Sequence, residues 1–262
     1  MKIFCCQLDI VWEAKRANQA KVASLLSAGG VPQGSLVLLP EMFSTGYSMN
    51  VAAIAEGESR ETETFLANTA REFGLCLLGG VVNAAPDGRG RNEAVVFSPE
   101  GREIARYGKR QPFSLGGESQ HYVAGCETVT FQWQNFVVSP FICYDLRFPE
   151  LFRAAALRGA QLLVVIANWP DVRLRHWVKL LQARAIENQA YVAGVNRCGS
   201  DPKHSYSAGR SLIIDPHGET LVEADGREGL ISASLDLPAL LDYRSDFPFL
   251  ADLRRDALKW GD

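Results

Sequence analysis

The chain has 262 residues, of which 47% are hydrophobic and 22% charged, the make-up of a folded globular protein and not of a disordered segment. That length can bury an extensive core, and residues 1–262 are read as a single domain. With 27 basic against 30 acidic side chains and a net charge of -3, there is no basic surplus for a phosphate backbone, which excludes nucleic-acid binding as the main role and leaves a small molecule as the expected partner.

The first apolar run follows a single Lys2 and is already broken by Asp9, too short for a signal sequence, so residues 2–10 are expected to form the first strand. The longest apolar stretches, 36–40 and 162–167, fall far below the roughly 20 residues of a membrane span, so no membrane contact and a cytoplasmic location are expected. Alternating patterns then predict a helix within 15–27, a strand at 35–39, a helix near 61–73 and a strand at 76–82. Strands at 92–97 and 103–107 flank the turn Ser98-Pro99-Glu100-Gly101, and strands at 128–133 and 135–142 follow. Pro149 opens a helix that Gly159 stops. The wholly apolar run 162–166 reads as a buried strand, followed by a helix over about 173–188 and a strand at 191–196. A second hairpin pairs 211–214 with 220–223 through Asp215-Pro216-His217-Gly218, and a last strand at 230–234 precedes a polar tail. Helix-linked strands together with hairpins point to an α/β fold in which two mixed sheets pack face to face under outer helices, and the two similar hairpins hint at internal pseudo-symmetry.

Reactive side chains fall at the carboxyl ends of these strands. Leu36-Val37-Leu38-Leu39-Pro40 delivers Glu41 among apolar and aromatic neighbours, where desolvation favours a general base; a surface glutamate is the ordinary alternative. Cys143 lies in a strand-to-helix turn, which exposes a nucleophile near a helix amino terminus and aims the next N–H, that of Tyr144, at a developing oxyanion. The other cysteines, Cys5, Cys6, Cys76, Cys126 and Cys198, form no C-x-x-C pair and are expected as reduced thiols. Lys109, at the end of the strand 103–107, is either a solvated lysine or a cation for thiolate and oxyanion. Glu118 sits on a glycine-flanked loop. His121, His176, His204 and His217 have no metal-ligand spacing, so no metal is expected, and His121 is a candidate for the pocket lining. Gly88-Arg89-Gly90-Arg91 lacks the spacing of a phosphate loop and reads as a hairpin tip. Arg147 is read either as a clamp for a substrate carboxylate or as the partner of a neighbouring carboxylate, and Tyr47 and Trp169 as pocket wall or core.

Taken in order, Leu38-Leu39-Pro40-Glu41-Met42-Phe43, Gly79-Gly80, Tyr107-Gly108-Lys109-Arg110, Ile142-Cys143-Tyr144-Asp145-Leu146-Arg147-Phe148-Pro149-Glu150 and Ala167-Asn168-Trp169-Pro170 resemble the nitrilase superfamily of carbon-nitrogen hydrolases. The resemblance runs over nearly the whole chain and implies a four-layer αββα sandwich. It makes Glu41 the general base, Lys109 the oxyanion-stabilising cation and Cys143 the nucleophile, with Glu118 as the additional family glutamate. Amide hydrolysis through a thioester then needs no metal or organic cofactor, and a homodimer or larger homo-oligomer is implied. Within the superfamily, residues 41–47, 167–170 and 173–196, together with Arg197, are similar to the omega-amidases, which cut the terminal amide of 2-oxoglutaramate and 2-oxosuccinamate to the 2-oxo dicarboxylate and ammonia. Gln111-Pro112-Phe113 departs from the His-Leu-Phe-like run expected there, which bears on loop shape. Other readings are a deaminated-glutathione amidase, a carbamoylputrescine-type amidase, a nitrilase, or a non-catalytic binding protein on the same fold. A thiol redox protein lacks its resolving cysteine.

Overall fold

The structure is a computed structural model that describes residues 1–254; residues 255–262 of the expected domain lie outside the described residues. In chain order the elements are β1 (Lys2–Gln7), α1 (Lys15–Ala28), β2 (Leu36–Leu38), α2 (Val51–Ile54), α3 (Glu61–Phe73), β3 (Cys76–Ala84), β4 (Gly90–Phe97), β5 (Glu103–Gly108), α4 (Glu118–His121), β6 (Phe131–Trp133) and β7 (Phe136–Ile142). They continue with α5 (Pro149–Leu157), β8 (Leu162–Ile166), α6 (Leu174–Asn188), β9 (Tyr191–Val195), β10 (Leu212–Ile214), β11 (Thr220–Glu223), β12 (Gly229–Ser234) and α7 (Leu237–Asp246).

The strands form two six-stranded sheets, ordered β12-β1-β2-β3-β4-β5 and β11-β10-β9-β8-β7-β6. In the first, β1, β2 and β3 run parallel and β4 and β5 return antiparallel. The second repeats the pattern, with β7, β8 and β9 parallel and β10 and β11 antiparallel. The two proline-containing turns therefore close equivalent hairpins, the internal symmetry at which their sequences hint.

Side-chain alternation explains the layering. In β1 and β2, Ile3, Cys5, Leu36 and Leu38 point into a core shared with the second sheet, while Phe4, Cys6 and Val37, with Leu39 just past β2, join Val22 of α1 and Leu66 of α3 on the other face. Strands β8 and β9 are buried along their whole length, because α5 and α6 cover the face turned away from the first sheet. The result is the expected αββα sandwich of mixed sheets.

Three expectations need correction. The first strand stops at Gln7, not residue 10, since Asp9 keeps only an isolated bridge to Cys198 and its N–H goes to the Glu228 carboxylate. The strand expected at 128–133 shrinks to β6. The polar tail contains α7, whose start is marked by Asp236 accepting the Ala239 N–H at 3.1 Å and by Pro238 in the first turn; Leu240 anchors it in the core. Helices α2 and α4 are single turns, too short for apolar periodicity to announce.

Candidate active site

Strands β2, β7 and β8 end on one side of the sandwich, each delivering a polar or reactive residue just beyond a buried apolar run: Glu41, Cys143 and Asn168. Two of these turns have an uncommon backbone. Met42, directly after Glu41, has φ +45° and Cys143 has φ +47°, the left-handed region that side-chain-bearing residues enter only when their surroundings hold them there. Beside the first turn, Gly80 of β3 leaves the space: a Cβ there would lie 2.4 Å from the Met42 nitrogen and 2.7 Å from the Glu41 Cα. At the second, a 3-10 helix runs Cys143–Arg147, and Tyr144 lies in its first turn, where backbone N–H groups have no intrahelical acceptor.

Antiparallel β4 and β5 bring Asn92 and Lys109 to the same edge. Lys109 is buried, and its Nζ donates to Glu41 Oε1 at 2.9 Å and to Glu118 Oε1 and Oε2 at 3.0 and 2.8 Å. Asn92 Nδ2 spans the two fully buried carboxylates, donating to Glu41 Oε1 at 2.8 Å and Glu118 Oε1 at 3.0 Å. Glu118 Oε2 also accepts the Tyr47 hydroxyl at 2.9 Å and the Phe113 N–H at 2.6 Å. The second Glu41 oxygen, Oε2, accepts the Asn168 N–H at 2.9 Å, and the Cys143 thiol donates to the Asn168 carbonyl at 3.9 Å. One residue, Asn168, thus touches both the carboxylate and the thiol.

The charges in this cluster decide one another. Burial alone would favour the neutral amine of Lys109, but the Glu118 and Glu41 carboxylates outweigh it and hold the ammonium well above its usual range. Burial likewise works against the Glu118 carboxylate, and Lys109 with its hydrogen-bond donors pulls it below the ordinary value. The Cys143 thiol is pushed well up by burial and by the Glu41 charge, with Lys109 opposing. At neutral pH the resting group is therefore a thiol, and attack on a carbonyl requires a base that removes its proton as it reacts.

Cys143 opens onto a small pocket walled by Tyr47, Phe113, Tyr144, Trp169 and Tyr206. It is the only cysteine lining that pocket among the described residues. Three cations stand around the opening. The Arg147 guanidinium lies 4.9 Å from the Trp169 ring centre and 5.9 Å from that of Tyr144, Arg173 lies 5.3 Å from the Phe113 ring centre, and Lys203 also lines the pocket. Among the described residues no carboxylate forms an ion pair with any of the three. The Asp201 carboxylate nearby is engaged by the N–H groups of Lys203 and His204 and by the Tyr206 hydroxyl.

The sequence-derived candidates Glu41, Lys109, Glu118, Cys143, Tyr144, Tyr47, Arg147 and Trp169 all meet at or around this pocket. His121 does not: Glu118 of α4 and Tyr122 just after it are buried while His121 is exposed, so the histidine that lines the pocket is His204. Sequence reasoning gave no role to Asn92 or Asn168. Asn168 carries the same signal as Glu41, a polar residue at the carboxyl end of an apolar strand, whereas Asn92 lies inside β4 near its start and has no such mark.

A family model described as carbon-nitrogen hydrolase matches residues 2–245. The chain is 36% identical to a 2-oxoglutaramate amidase from Bacillus subtilis, over 97% of this chain and 98% of that one. It is 38% identical to an omega-amidase from Yersinia enterocolitica, over 96% of each chain. Among solved structures, a mutant amidase from Nesterenkonia sp. AN1, with acrylamide added at its active-site cysteine, superposes with a TM-score of 0.82 at 27% identity, covering 96% of this chain and 99% of that one.

Proposed function

Because this chain belongs to the carbon-nitrogen hydrolase family and is a hydrolase of amides, we propose that it is an omega-amidase in which Cys143, Glu41 and Lys109 cleave the terminal amide of 2-oxoglutaramate or 2-oxosuccinamate. The observation that carries the reading is the pairing of one pocket thiol, backed by a buried Lys109–Glu41 ion pair, with pocket cations that no carboxylate among the described residues neutralises in an ion pair. Relatives named for 2-oxoglutaramate and omega-amides support the substrate, and an amidase modified at its active-site cysteine supports the nucleophile.

In this mechanism Glu41 takes the Cys143 proton while the sulfur forms a bond to the amide carbon, and the carbonyl π electrons move onto oxygen. The resulting oxyanion is met by the Tyr144 N–H and by Lys109. Lys109 has three N–H groups and rests on one Glu41 oxygen and two oxygens of the same Glu118 carboxylate, so turning one N–H to the oxyanion still leaves it bonded to both carboxylates. Collapse breaks the C–N bond, and Glu41 returns its proton to the departing nitrogen, giving ammonia and a thioester. Water then attacks the thioester as Glu41 takes its proton, the C–S bond breaks, and the thiol recovers the proton from Glu41. Glu118 keeps Lys109 charged and in place throughout. At the other end of the substrate, the carboxylate beside the 2-oxo group meets Arg147, whose planar fork suits a carboxylate.

Ammonia release tests the reading. The protein should turn over 2-oxoglutaramate far faster than glutamine, asparagine or a simple nitrile, and Cys143→Ala should be silent. Equal rates on glutamine, or activity that survives Cys143→Ala, would contradict it.

A further inference from the structure

One buried carboxylate near the pocket has no part in the chemistry just described. Asp145 is wholly buried, two residues past Cys143, and is in none of the structure's ion pairs among the described residues. Of its three side-chain hydrogen bonds, two reach across the interface between the two sheets. Oδ2 accepts the Ile142 N–H at 3.0 Å and the Tyr107 hydroxyl at 2.8 Å, and Oδ1 accepts the Gln111 N–H at 2.8 Å. Ile142 is the residue before Cys143, at the end of β7 in the second sheet. Tyr107 and Gln111 lie two residues on either side of Lys109, at the end of β5 in the first sheet.

We propose that Asp145 is a positioning residue that sets the separation of Cys143 and Lys109 by tying the backbone on both sides of Lys109 to the strand end that presents the thiol. The proposal rests on the catalytic reading of those two residues. A cap for the 3-10 helix would need only the Ile142 N–H; the bonds to Tyr107 and Gln111 add nothing to that helix and join it to the opposite sheet. Only a side chain with an acceptor on both branches can take an N–H from each sheet. An asparagine would turn its NH2 toward one of the two backbone donors and release it. Burial makes the carboxylate costly, pushing its pKa up to about 6, and the three donors are what it gains in return. The Cys143 backbone, at φ +47°, also depends on neighbours that hold it.

The test follows alkylation of Cys143 by iodoacetamide at fixed pH, read by intact mass, in Asp145→Asn and in the milder Tyr107→Phe, each alone and combined with Lys109→Ala. An opposite charge at close range lowers an acid's pKa by about one unit or more, so displacing Lys109 should slow alkylation about tenfold in Asp145→Asn, and less in Tyr107→Phe. Removing a negative charge would by itself favour the thiolate, and loosening the fold would expose it; both speed alkylation, so slowing reports lost geometry. In the Lys109→Ala background, where the cation is already gone, neither change should slow the reaction further. Wild-type or faster alkylation in both variants, or equal slowing in both backgrounds, would overturn the proposal. Should Asp145→Asn fail to fold, Tyr107→Phe in the two backgrounds decides. If Lys109→Ala alone alkylates like the wild type, it is the assignment of Lys109 that falls, and the proposal with it.

Discussion

Lys109 is held between two carboxylates that it cannot leave without cost, because removing one partner of a buried pair leaves an uncompensated charge. With an oxyanion donor lost as well, Lys109→Ala should lower turnover on 2-oxoglutaramate by about a hundredfold to a thousandfold; steady-state kinetics showing wild-type turnover would remove it from the mechanism. Arg147 is expected to act on binding instead. Charge-assisted hydrogen bonds are worth roughly 1.5–3 kcal/mol, so Arg147→Ala should raise KM for 2-oxoglutaramate about tenfold to a hundredfold and leave a neutral amide such as butyramide unaffected. A common factor on both substrates would show that Arg147 is merely structural. The pair also gives stability a pH sign. Glu118 has its folded pKa below the ordinary 4.5, so its contribution is full above that value and is lost as the pH falls through the lower, folded one. Denaturant midpoints should accordingly fall more steeply with acid in the wild type than in Glu118→Gln, and parallel curves would contradict the pairing.

Each strand end that serves the site is shaped by its neighbours. Gly80 is the sharpest case, since the atoms a Cβ would strike are the backbone of the turn after Glu41, which cannot rotate aside as a side chain can. Gly80→Ala should therefore cost stability of the order of overpacking, about 1–3 kcal/mol, or several degrees of Tm at about 2–4 °C per kcal/mol. Turnover should fall further than stability because Glu41 moves; unchanged Tm and activity would show the turn to be compliant. The elements themselves were largely legible, since the wholly apolar run 162–166 marks a strand buried on both faces and the helix at 61–73 carries a period-3.6 pattern between clear stops. Helix α7 was missed because it buries one residue, Leu240, and so has almost no apolar stripe, although Asp236 and Pro238 marked its start. Likewise Glu41, Lys109 and Cys143 announced themselves by position at strand ends. Asn92 and Asp145 did not, because their importance lies in partners 51 and 34 residues away that only the packed sheets bring near.

Neither sheet holds the candidate site alone. Glu41 and Lys109 come from the first sheet and Cys143 and Asn168 from the second, so the cluster forms only when the two six-stranded halves pack face to face. That dependence explains why sequence motifs could name the residues while the joining bonds, through Asn168 and Asp145, had to be seen in three dimensions. Among the described residues no helix is long and apolar enough to cross a membrane. For assembly, the family resemblance carries the expectation of a homodimer, so light scattering should return about twice 28.8 kDa, and a monomeric mass would refute it. As the proposed nucleophile of a hydrolase acting on 2-oxo dicarboxylate amides, Cys143 should carry the substrate's acyl group during turnover. Acid-quenching the protein during turnover of 2-oxoglutaramate and mapping its mass should find the 2-oxo acyl group in thioester linkage on Cys143 and no adduct in Cys143→Ala. Steady ammonia release by a Cys143→Ala protein would contradict it.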